Sequence, residues 1–188
     1  RVKASKEVIL SAGSIGSPQI MMLSGLGDRD EIREHGIKVE KHIPGIGKNL
    51  QDHLQIRTAF KVKHVKTLNQ MYQSYLSLGK MGLEYLLFKR GPLTMAPSQF
   101  GIFTKSDAKF DTPNIEFHVQ PLSLDKFGDP LHNFPALTVS VCNLRPKSRG
   151  TVSLTSSNPM DQPKIAPNYL TDPEDKEVAV ESIKKARN

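Results

Sequence analysis

The stretch Ser11-Ala12-Gly13-Ser14-Ile15-Gly16-Ser17-Pro18-Gln19-Ile20-Met21-Met22-Leu23-Ser24-Gly25-Leu26-Gly27 decides how the chain is read. Val8-Ile9-Leu10 just before it is an apolar, β-prone run, so the sequence predicts a buried strand that breaks at Ala12-Gly13. A short helix follows. Ser17 is an N-cap residue type, Pro18 suits a first helical position that needs no N–H, and Gly25 is placed to end the helix. Ile20, Met22 and Leu23 supply its apolar side. Small residues at such a junction let backbone N–H groups approach a ligand, and a helix N-terminus favours an anion such as a phosphate. The same junction is common in α/β proteins that hold no ligand there, so spacing alone makes it a candidate and nothing more.

Downstream, Asp28 with Glu31 three residues on has the arrangement of a capping box, and Gly36 closes a helix of about two turns. Residues 37–43 read as extended, and Pro44, Gly45 and Gly47 make a turn-rich loop leading to Asn49-Leu50-Gln51-Asp52-His53. Gly47-Lys48 has the look of a phosphate-binding P-loop tail, but His42 stands where the first Gly is needed and Asn49 where Ser or Thr is needed. Gly25-Leu26-Gly27 is followed by Asp30 instead of a third Gly, which excludes the dinucleotide fingerprint.

Alternation at Ile56, Thr58, Phe60 and Val62 predicts a half-buried strand, with further strands over 99–104, 115–119 and 137–141 and a short one at Val152 and Leu154. About five strands joined mostly by loops point to an antiparallel sheet with one apolar and one polar face. Leu68, Met71, Tyr72, Tyr75, Leu76, Leu83, Leu86 and Leu87 recur at helical spacing, so Asn69 to Phe88 is predicted as an amphipathic helix. Gly79 and Gly82 weaken or divide it, and Gly91-Pro92 ends it. Its stripe is expected to pack on the apolar face of the sheet. Asp172-Pro173 opens a final helix with Val178, Ala179 and Ile183 on its buried side. The fold class is therefore α+β.

The 188 residues suffice for one domain or one and a part. A net charge of +7 raises the question of nucleic acid or a membrane surface, but the basic residues fall in short groups, such as Lys61-Lys63-Lys66 and Arg145-Lys147-Arg149, without interleaved aromatics. No nucleic-acid partner is expected, and no run reaches the ~18 apolar residues of a membrane span. Lone Cys142 allows no internal disulfide, which favours a reducing compartment and a cytoplasmic location. The six His residues show no His-x-x-x-His pair, so no metal site is expected. Ser11 and Ser17 lie outside any Gly-x-Ser-x-Gly, and Cys142 has no sign of activation. Asp52 and His53 form a candidate acid–base pair, yet neighbours in an extended segment point to opposite faces, which favours a structural hydrogen bond. The chain begins Arg1-Val2-Lys3 and ends within a helical pattern, and reads as cut from a longer protein.

Six blocks together carry a resemblance. Gly13 to Gly27, Pro44 to His53, Gly91-Pro92-Leu93-Thr94, Asn114 to Pro121, Leu144 to Gly150 and Ala166-Pro167-Asn168-Tyr169-Leu170 resemble, in order, the signatures of the glucose–methanol–choline (GMC) oxidoreductases, nearest the choline-dehydrogenase-like branch. The resemblance implies FAD-dependent oxidation of a small-molecule alcohol by hydride transfer to the flavin. It implies flavin-domain elements at 1–54, a substrate domain with an antiparallel sheet and helices on one face at 55–155, and a return toward the flavin domain at 156–188. Ala12, Gly13 and Ser14 match the loop near FAD, and Asn49, Asp52 and His53 match the second flavin-side block. Gln99 falls on the substrate side where several relatives place a Glu, which argues against a cation-binding carboxylate and against choline itself. The family's dinucleotide-binding turn and catalytic His match nothing in this sequence, so the rest of the flavin domain is an implied partner and the chain alone is expected to be inactive. The alternative is a non-catalytic binding or structural domain that uses the polar sheet face.

Overall fold

A computed structural model describes residues 3–96, 98–126 and 128–188. The chain divides into two compact units, one formed by Arg1–Asp52 with Pro146–Pro173 and the other by His53–Arg145 with Glu174–Asn188. Residues 146–155 fall in the first unit and the last helix, from Glu174 on, in the second.

In the first unit, α1 (Gly13–Leu23) leads into β1 (Leu26–Gly27), α2 (Arg29–Glu34) and β2 (Lys41–His42), with β1 and β2 paired in parallel. The returning segment supplies the antiparallel pair β7 (Thr151–Ser153) and β8 (Lys164–Ala166). Met22, Ile32, Val152 and Leu154 are its buried apolar residues. Asp28 caps α2 as its spacing with Glu31 predicts, accepting from the N–H groups of Asp30 and Glu31 at 3.0 and 3.3 Å. Two expectations are corrected here. Val8-Ile9-Leu10 forms no strand and lies exposed, because no described segment offers it a hydrogen-bonding edge. α1 starts at Gly13, four residues before the predicted cap, since Ser17 Oγ reaches back to accept from Ala12 N–H at 3.1 Å and Pro18 is accommodated inside the helix.

In the second unit, β3 (Gln55–Lys61), β4 (Phe100–Thr104), β5 (Ile115–Gln120) and β6 (Ala136–Asn143) form one antiparallel sheet in the order β3-β6-β5-β4. The predicted fifth strand at Val152 belongs instead to β7, in the first unit. Ile115, Phe117 and Val141 share one sheet face and bury against Val178 of α5 (Pro173–Arg187), with Ile56, Phe110, Val139 and Ala186 packed around them. Burying four such side chains supplies roughly 6–10 kcal/mol of transfer free energy. Glu174 and Asp175 in the first turn and Lys184, Lys185 and Arg187 in the last complement the α5 dipole.

The predicted helix over Asn69–Phe88 is two helices, α3 (Leu68–Tyr72) and α4 (Tyr75–Phe88). The break falls at Gln73-Ser74, not at Gly79 or Gly82. Ser74 Oγ accepts from Ser77 N–H at 3.3 Å and restarts the chain as an N-cap. α3 is pinned by buried Asn69, whose side-chain amide donates to Ser123 and His132 carbonyls at 3.1 and 3.0 Å and whose Oδ1 accepts from Ser123 N–H at 2.8 Å. α4 packs on α3 and on the 3-10 turn Pro92–Thr94, so the expected docking of its Leu and Tyr stripe on the sheet does not occur. α5 occupies that face.

Candidate functional site

At the start of α1 the backbone itself makes the chemistry. Gly13 adopts a φ of +77°, a region open to glycine, to begin the helix. Among the described residues no side chain caps the α1 N-terminus and no acid lies in its first turn. The first-turn N–H groups thus remain available to a solvent or ligand acceptor. Pro18 has no N–H for the carbonyl of Ser14, so the same turn also presents an acceptor.

The second flavin-side block folds beside this helix. Leu50 and Gly150 exchange backbone hydrogen bonds at 3.0 and 2.8 Å, and Val152 N–H donates to the Gly47 carbonyl at 2.7 Å. At Gly47, φ is +74° and a Cβ would lie 2.2 Å from the Val152 carbonyl oxygen, so only glycine lets the loop approach this closely. Asn49 follows with φ of +59°. Between the loop and α1 lies a cavity of about 280 Å³ lined by Ser14, Pro18, Gly47, Lys48, Asn49, Leu50, Gln51 and Val152. None of these residues is acidic. The Lys48 ammonium is paired with the Glu31 carboxylate of α2 at 3.4 Å. Helix N–H groups, Lys48 and the Asn49 and Gln51 amides fit a negatively charged or carbonyl-rich portion of a dinucleotide such as FAD. The volume takes a portion of such a ligand and not its whole.

The structure brings Ser14 and Asn49 into one cavity, with Gly13 shaping its helix. Ala12 and Asp52 do not line it. The Asp52 carboxylate instead accepts from the Tyr169 hydroxyl. That hydrogen bond, followed by desolvation and the nearby negative charge, raises the Tyr169 phenol above its ordinary value. His53 belongs to the second unit, where its Nε2 lies 3.1 Å from the Leu144 carbonyl oxygen. Asp52 and His53 therefore each engage a different partner. Lys48 and Tyr169 sit inside two of the blocks read from the sequence, but their contacts join residues 17 and 117 positions apart and leave no local signal.

Gln99 precedes β4, and its N–H donates to the Val119 carbonyl at 2.9 Å. Its side-chain amide donates to the Ala96 carbonyl at 2.6 Å. It lines a mostly apolar cavity of about 440 Å³ with Val62, Thr67, Met95, Phe100, Val119 and Leu137. No carboxylate lines this cavity.

The sheet face opposite α5 is polar because the pleat and register make it so. Glu116 and His118 are two residues apart on β5, and Glu116 faces Cys142 on β6 while His118 faces Ser140. His118 Nε2 is 3.3 Å from Glu116 Oε1, and one potential ligand atom from each of Glu116, His118 and Cys142 lies within 4.8 Å of the others. Metal-spacing motifs miss this group because it is assembled by strand register. Burial, and then the Glu116 charge, push the Cys142 thiol up.

Two family models described as GMC oxidoreductase, one N-terminal and one C-terminal, match residues 1–55 and 146–188. The chain belongs to the GMC oxidoreductase family. It is 44% identical over 184 residues to an alcohol dehydrogenase [acceptor] of Pseudomonas putida, covering 97% of this chain and 33% of that protein. It is 35% identical over 186 residues to an oxygen-dependent choline dehydrogenase of Staphylococcus xylosus, covering 99% and 33%. The formate oxidase of Aspergillus oryzae superposes with a TM-score of 0.84 at 24% identity, over 97% of this chain and 36% of that one. The chain thus spans about a third of the length of the curated relatives it matches.

Proposed function

We propose that the whole protein is an FAD-dependent alcohol oxidoreductase, with the first unit serving the flavin side and the second the substrate side. The observation that carries this reading is the cavity shared by Ser14 and Asn49 at the uncapped start of α1, in a chain of the GMC family. FAD, when bound, supplies the two-electron acceptor for the hydride leaving the alcohol carbon. The α1 N–H groups and Lys48 hold negative charge, Asn49 and Gln51 offer amide donors and acceptors, and Gly47 keeps the loop close enough to reach. The Ala12 N–H is taken up by Ser17 Oγ, and Asp52 supports the loop through Tyr169. On the substrate side Gln99 and its apolar neighbours favour a neutral alcohol over choline, in keeping with the alcohol dehydrogenase [acceptor] among the relatives.

Anaerobic addition of neutral primary alcohols to the full-length protein loaded with FAD is the direct test. The oxidised-flavin absorbance is expected to bleach with alcohols, and Gln99→Ala to change the ratio of kcat/KM between a short and a long alcohol. A protein that retains no flavin, or a flavin that alcohols leave oxidised, would overturn the reading.

A further inference from the structure

The polar face of the four-stranded sheet gathers three metal-ligating side chains that line neither cavity. Glu116 and His118 stand two residues apart on β5 and so share a face, and Cys142 on β6 is the register partner of Glu116. One ligand atom from each lies within 4.8 Å of the others, and His118 Nε2 is already 3.3 Å from Glu116 Oε1. Tetrahedral zinc, with bonds of about 2.0–2.3 Å, sets its ligand atoms about 3.5 Å apart, so side-chain shifts of roughly 1 Å close the set. Cys142 is 2% exposed, and the Glu116 and His118 side chains are 17% and 28% exposed. The group is thus shielded within its own unit.

The charges and the neighbours suit a dication. A Glu116 carboxylate and a Cys142 thiolate carry two negative charges, which a divalent ion cancels, and neutral His118 adds a third donor. Such an ion displaces the thiol proton to solvent, reversing the effect of burial and of the Glu116 charge. The other register partners of the three residues are Gln55, Phe103, Gly101 and Ser140, none of them basic. Arg57, opposite Ser140, donates to the Gln120 side chain at 3.5 Å. On the β4 side Gly101 leaves room, since even a Cβ there would lie 3.9 Å from Glu116 Oε1.

We propose that Glu116, His118 and Cys142 form a three-ligand site for one Zn²⁺ ion, with a water or small anion as the fourth ligand on the Gly101 side. Mg²⁺ and Ca²⁺ take sets of oxygen ligands, whereas thiolate with imidazole and carboxylate suits zinc. Three protein ligands and one open position make an exchangeable site and not a closed structural one. The inference rests on the β5–β6 register and not on the alcohol reading.

The test is equilibrium dialysis of the full-length protein, first stripped with a chelator, against Zn²⁺, with bound metal measured per chain. One ion is expected to bind in a manner that Cys142→Ser and His118→Ala each weaken about a hundredfold or more, and Glu116→Gln about tenfold. His118→Ala alters a part-exposed position and carries the test should the buried Cys142→Ser fail to fold, as thermal unfolding will show. X-ray absorption at the zinc edge of the wild type should find one sulfur at about 2.3 Å with nitrogen and oxygen at about 2.0 Å. Co²⁺ in place of Zn²⁺ should give the intense visible bands of a tetrahedral site, at wavelengths longer than flavin absorption. Absence of bound metal, unchanged affinity in His118→Ala, or a zinc shell without sulfur overturns the proposal. A flavin that alcohols leave oxidised would refute the alcohol reading and leave this site standing.

Discussion

Helices α4 and α5 belong to the same unit and use their sequences in opposite ways. α4 carries a broad stripe of Leu and Tyr and presents it outward, whereas α5, with eight charged residues among fifteen, buries Val178 against Ile115, Phe117 and Val141. The narrow seam of α5 runs through Val178, Ser182 and Ala186 at four-residue spacing. The seam carries small side chains, and the buried Ser182 hydroxyl donates to the Val178 carbonyl at 2.6 Å. Apolar content alone does not choose which helix is buried. The sheet face chooses the helix whose shape fits it.

Replacement of Val178 by Asp should break this comparison most severely. It places a charge at a 2% exposed position and is expected to cost about 3 kcal/mol or more, while Leu87→Gln on α4 should stay within about 0.5 kcal/mol, both read by denaturant unfolding. Equal losses would mean that α4 also contributes to the core. Ser182→Leu overfills the seam and should cost about 2 kcal/mol, separating the need for small residues from the need for apolar ones. A stabilising outcome would show that the α5 seam is loosely packed.

The smallest effect concerns a helix end. Hydrogen bonds from the Glu31 and Asp30 N–H groups hold the Asp28 carboxyl below its ordinary value of 3.8. A depressed carboxylate pKa contributes stability that is present in full above the ordinary value and is lost as pH falls through the folded one. Asp28→Asn should therefore lower stability most at neutral pH, with the difference from the wild type closing as pH falls from about 5 to about 2, which flattens the acid side of the profile. An unchanged acid limb would remove Asp28 from the cap.

Much of the candidate site was legible in the sequence. Gly13, Ser14 and Asn49 stand in recognisable blocks, and two of those blocks do meet at one cavity. What could not be read was the other side of each contact. Gly47 is required because the Val152 carbonyl presses on it, Asp52 is engaged by Tyr169, and Glu116, His118 and Cys142 meet through the β5–β6 register. These are pairings between residues far apart in sequence, where no local pattern marks the partner.

By itself the sequence determined the α+β class, strands over 55–63, 115–119 and 137–141 that the structure places at 55–61, 115–120 and 136–143, the caps at Asp28 and the start of α5, and the family, because periodicity, capping and short glycine-rich blocks are properties of neighbouring residues. Only the tertiary structure decided that Val8-Ile9-Leu10 stays unpaired and that α5 and not α4 covers the sheet. Burial is a relation between two surfaces, and an amphipathic stripe announces a surface without naming the one that will receive it.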